Sequence, residues 1–155
     1  MSKWIISVLL LIELGLVTFA LFYLGFCHPD AAPVALKNIL LSILFGGLGG
    51  TIYCLRGVYL NACVRKKWDS DWAPWYLIRP FLSLALGGIS YLLIKSGLLF
   101  LNANQGELHQ LGIWLLAFLA GLNVDKTLSK IESIGQSVWG IEPSKQSEKH
   151  EGKNG

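Results

Sequence analysis

The chain has 155 residues, 53% of them hydrophobic and only 15% charged, with a mean hydropathy of +0.51. Soluble domains carry about 25% charged residues, so this composition excludes an ordinary water-soluble fold and points to one small membrane domain. The net charge of +3 comes with no RNA- or DNA-binding motif, and the odd, irregularly spaced set Cys27, Cys54 and Cys63 is not a disulfide framework.

A helix that crosses a bilayer needs about 20 mostly apolar residues. Four stretches qualify, over residues 4–26, 39–60, 78–101 and 108–124. The expected fold is therefore an all-α integral membrane protein with four transmembrane helices. The first stretch follows Lys3 and contains Glu13. Its apolar run is longer than that of a signal peptide and is interrupted by a carboxylate, so it is read as a retained span. Pro29 and Pro33 bracket the turn after it. The second stretch contains "FGGLGGTIYCLRGVY" (45–59), with glycines followed by Arg56. The third is entered between Pro74 and Pro80, where a missing N–H matters least, and Lys95 near its far end can reach the interface along its own stem. The fourth is the shortest, which implies little tilt or a thinned bilayer. Beyond it Leu128, Ile131, Ile134, Val138 and Ile141 recur at three- and four-residue steps, an amphipathic helix over 126–142. The polar remainder, 143–155, has the composition of a disordered tail.

Orientation follows from Lys and Arg in short loops. Arg65, Lys66 and Lys67 stand between the second and third stretches, with Arg79 at the next helix start. Lys126, Lys130, Lys145, Lys149 and Lys153 follow the fourth, whereas the loop after the third, "NANQGELHQ", has no basic residue other than His109. Both termini are expected in the cytoplasm, in a cell membrane and most simply a bacterial inner membrane. The same basic loop holds Trp68, Trp72, Trp75 and Tyr76, an aromatic belt.

Helices in lipid gain nothing from the hydrophobic effect on associating, so small residues mark their contact faces. Ser42, Gly46, Gly50, Tyr53 and Gly57 form one stripe of the second stretch, Ser83, Gly87 and Tyr91 one of the third, and Ala117 with Gly121 one of the fourth. These stripes serve either packing within a subunit or packing between subunits around a pore. A short echo, "GGTIYCLRG" (49–57) against "GGISYLLIKSG" (87–97), is too brief to define a repeat.

Glu13 lies about 13 Å from the inner interface at 1.5 Å per residue, and Arg56 about 8–10 Å. Their similar depth makes them an expected intramembrane charge pair, and ionisable residues in a membrane are functional candidates. A carboxylate in the first of four short helices resembles the small multidrug-resistance transporters. That resemblance rests on Glu13 and the span count, and implies a proton- and substrate-binding role for Glu13. This chain departs from the family in its greater length, its more basic loop and an Arg56 that would compete with a cationic substrate.

Cys27, His28, Asp30, Glu107 and His109 lack the spacing of a metal site, and no hydrolase, nucleotide-binding or dinucleotide motif occurs. The expectation is a protein that is not an enzyme, with no cofactor, no bound metal, no nucleic-acid partner, a lipid bilayer as its surroundings and a homo-oligomeric state. Its expected role is a channel- or pore-like stress, toxin or defence effector. A proton-coupled transporter using Glu13 and a non-transporting assembly or immunity factor are the alternatives. In a reporter-fusion map, the 65–67 loop should be reached only from the cytoplasm, and an external location would overturn the orientation.

Overall fold

The computed structural model describes residues 3–27, 33–97 and 110–140, and every regular element among them is helical. A helix satisfies its own backbone hydrogen bonds, which lipid cannot do for it. The α1 helix, Lys3–Phe22, continues as a π-helical turn over Tyr23–Cys27. The α2 helix, Val34–Tyr59, starts after Pro33, whose φ of −51° suits a helix entrance and whose carbonyl accepts the Lys37 N–H at 3.0 Å. It ends in a second π turn, Leu60–Val64. A 3-10 turn, Ser70–Trp72, leads into α3, Ala73–Lys95. The α4 helix is Gln110–Leu122, and α5 is Val124–Trp139.

The chain divides into two compact units, 1–124 and 125–155. The second contains most of α5, with Leu128, Ile131, Ile134 and Val138 at helical spacing; residues 141–155, including the expected tail and Ile141, lie outside the described residues. In the first unit α2 is the central helix, and α1, α3 and α4 all pack against it.

Three helical segments are long and apolar enough to cross a membrane: Lys3–Gly25, Val34–Val64 and Ala73–Lys95. The count reaches four only when α4 and α5 are taken together. With 13 residues, α4 is about 20 Å long, short of the roughly 30 Å hydrocarbon core. The expected third span also shifts. Pro74 occupies the first turn of α3, where no N–H is needed, so the helix begins ahead of residue 78 and takes Tyr76 and Arg79 into its interior. Its expected end, 98–101, lies outside the described residues, as do 108 and 109 before α4.

The small-residue stripes close this unit on itself. A Cβ on Gly46 would lie 2.5 Å from the Ser83 carbonyl oxygen and 2.7 Å from the Gly87 Cα. On its other side Gly46 meets α4, since a Cβ on Gly121 would lie 2.7 Å from the Gly46 carbonyl carbon. Three backbones thus meet at α2 with no room for a methyl group. Ser83, fully buried, donates its hydroxyl between the Arg79 carbonyl at 2.9 Å and the Gly121 carbonyl at 3.1 Å, joining α3 to α4. The Ser42 and Ser90 hydroxyls return to carbonyls one turn back, at 2.9 and 2.7 Å, which leaves neither unsatisfied in an apolar interior. Tyr91 packs with Ile94, Ile113 and Ile39 where α3, α4 and α2 meet.

Alanine is a better helix former than glycine by about 1 kcal/mol, so propensity and space oppose each other at the seam. Gly87→Ala should lower the melting temperature in detergent, because its Cβ would sit 3.0 Å from the Gly46 Cα. Gly15→Ala, with nothing within 4 Å, should leave it unchanged or raise it.

Candidate functional site

Charge inside this fold is concentrated at one end, where α2 passes through its π turn and the connection to α3. Arg79 is only 4% exposed. Its guanidinium carbon lies 4.1 Å from the centre of the Tyr53 ring and 4.4 Å from that of Trp75. Both are cation–π distances, and such contacts strengthen when water is excluded. Trp75 stands one turn before Arg79 on α3, while Tyr53 comes from α2, so the arginine is clasped by two helices.

The expected aromatic belt folds into a cluster. Trp75 meets Trp72 edge-on at 6.3 Å and Tyr76 edge-on at 5.1 Å, and Trp68 stacks on Tyr76 at 5.8 Å. The Tyr76 hydroxyl accepts the Asn61 side-chain N–H at 2.9 Å. Gly57 is the seat for this ring: a Cβ there would lie 3.1 Å from Tyr76 Cε1. Gly57 therefore belongs to the aromatic cluster rather than to the helix seam.

On the other side of α2, Cys54 is fully buried among Ile6 and Leu10 of α1, Val58, Ala73 and Tyr76. Its thiol lies within electrostatic reach of both Arg79 and Glu13. Glu13 shares the inner stripe of α1 with the buried Ile6, Leu10 and Val17, and is itself half-buried. The cation with which Glu13 shares a neighbour is therefore Arg79. Arg56, its expected partner, is exposed, and among the described residues no ion pair joins it to Glu13. Direction around the helix separates the two. Arg56 follows Cys54 by two residues, about 200° around α2, so when Cys54 faces α1 the arginine faces away.

Arg56 instead lines a cavity of about 620 Å³. Tyr53, Gly57, Leu60, Asn61 and Arg65 supply its α2 side, and Lys67, Trp68 and Asp69 its loop side. Trp72, Trp75 and Tyr76 complete it. The loop is tied down by its backbone: Arg65 N–H donates to the Leu60 carbonyl at 2.8 Å and Lys67 N–H to that of Asn61 at 3.1 Å. Lys66 between them takes a left-handed φ of 52° and is not part of the lining. Of the expected basic loop residues, Arg65 and Lys67 thus reach the cavity, and Arg79 lies behind its Tyr53–Trp75 wall. The Arg65 guanidinium donates to Asn61 Oδ1 at 3.5 Å, and the Asp69 carboxylate accepts the Asp71 N–H at 3.0 Å.

Tyr91, which the sequence matches to Tyr53, lies about 18 Å beyond Arg79 along α3, packed with Ile94, Ile113 and Ile39. Among the described residues no group of three His, Cys, Asp or Glu side chains could hold a metal; His28, Asp30, Glu107 and His109 lie outside them. No family model, no curated relative and no solved structure matches the chain.

Replacing Tyr53 by Leu removes one cation–π face and should cost about 0.5–2 kcal/mol of stability. Glu13→Gln and Arg79→Gln should each lower the detergent melting temperature. If the two charges couple across Cys54, the double variant loses less than the two losses added. Strict additivity would show that Glu13 and Arg79 are not coupled.

Proposed function

We propose that the protein is a multi-pass membrane protein acting as a non-conducting binding or assembly factor, with the aromatic–basic end of its bundle as the working surface. The observation that carries this reading is the closed seam. Gly46 is in close backbone contact with both Gly87 and Gly121, so the small-residue faces that a pore between these helices would use are already occupied. At the same time Arg56, Arg65 and Lys67 collect around a cavity walled by tryptophan and tyrosine. Aromatic and arginine side chains of this kind are the usual anchors of recognition surfaces. The charge pattern of the loops supports a bacterial inner membrane with both termini in the cytoplasm.

A second reading, an oligomeric pore or a proton-coupled transporter, is favoured by α1 alone. Its outer side exposes Ile5, Val8, Ile12, Leu16 and Phe19, a face that a second copy could cover, and Glu13 lies on the same helix. Reconstituted liposomes separate the two. A binding factor leaves them impermeable to protons and to a trapped dye. A conducting or transporting protein produces flux that Glu13→Gln removes.

A further inference from the structure

We infer that the cavity between the end of α2 and the start of α3 is a binding site for the phosphate of an anionic phospholipid headgroup. This rests on the reading of that end as a binding surface, and it names the ligand.

Charge is the first argument. Three cations, Arg56, Arg65 and Lys67, line the cavity against one carboxylate, Asp69. Asp69 is held by the Asp71 backbone N–H at 3.0 Å, and among the described residues it pairs with none of the three. Among the described residues the Arg65 guanidinium has only the 3.5 Å contact to a neutral amide. The buried Arg79 stands just behind the Tyr53–Trp75 wall and adds its field. Three cations against one carboxylate leave an excess of positive charge that is complementary to an oxyanion, and arginine presents a fork that matches two phosphate oxygens at once.

Size and place make the anion a lipid. About 620 Å³ is far more than a bare phosphate fills and lies in the range of small-molecule sites, with room for a headgroup and its glycerol. Trp72 is 57% exposed and Tyr59 60% exposed at this end, and such rings settle at the headgroup level of a bilayer. A ligand at that level arrives by diffusion in the membrane plane. Basic pockets between membrane helices hold anionic headgroups by the same combination of field and hydrogen bonding. The site is also built rather than loose, since Asn61 ties the π turn to Tyr76 at 2.9 Å and its carbonyl takes the Lys67 N–H.

The test uses the full chain in detergent, titrated with phosphatidylglycerol and, separately, phosphatidylcholine, with bound lipid counted by native mass spectrometry. Phosphatidylglycerol should bind at least tenfold more tightly. Replacing Arg56, Arg65 and Lys67 together by Gln should remove that preference, whereas Lys126→Gln with Lys130→Gln on α5 should keep it. The single Arg56→Gln variant, at an exposed position, should show an intermediate loss and covers the case in which the triple variant does not fold. Equal binding of the two lipids, or a preference untouched by these changes, would overturn the proposal. So would displacement of phosphatidylglycerol by millimolar inorganic phosphate, which would make the ligand a free anion. The liposome flux assay is read separately: impermeable liposomes without lipid preference reject the ligand and keep the non-conducting reading, and leaky liposomes with lipid preference do the reverse.

Discussion

Backbone contact between α2, α3 and α4 is the constraint on which the rest of the structure depends. In lipid an apolar side chain is as well solvated outside the bundle as inside it, so helices hold together through close packing and a few hydrogen bonds. Gly46 supplies that closeness on two sides, toward Gly87 and toward Gly121. Ser83 adds the hydrogen bond that fixes α3 against α4. Once these axes are drawn together, the ends of α2 and α3 cannot separate freely, and the loop between them must fold its bulky rings over the gap. The aromatic cluster and the cavity are consequences of the seam beneath them.

The buried arginine is affordable only in that setting. A guanidinium in the membrane is costly unless it is paired or reaches water. Here Tyr53 and Trp75 give it two aromatic faces, and Glu13 on α1 is an opposite charge within electrostatic reach of the same Cys54 thiol. Neither compensation comes from one helix alone. The site is assembled from α1, α2 and α3 together, which ties its electrostatics to the packing of the whole unit.

Much of this was legible in the chain. Small residues recurring at helical steps identified the faces of α2, α3 and α4 that meet, because spacing alone determines which residues share a stripe. What the sequence hid was direction. Nothing in the position of Arg56 says that the inner side of α2 is set by Cys54, and nothing in a count of loop charges says that Arg79 lies inside a helix. Pro74 was the available signal: a proline suits a first turn, and it moves the helix start ahead of Tyr76 and Arg79. Gly57 looked like one more step of the packing stripe, and only the path of the loop shows that a tyrosine ring takes its space.

The aromatic cluster has an optical consequence. The chain has six tryptophans, and three of them, Trp68, Trp72 and Trp75, stand at the cavity. The indoles of Trp72 and Trp75 are 6.3 Å apart with planes inclined by 82°, close enough for their transition dipoles to couple and inclined enough for the coupling to be chiral. The protein thus carries an intrinsic chromophore pair whose circular dichroism senses the geometry of this one end, without any label.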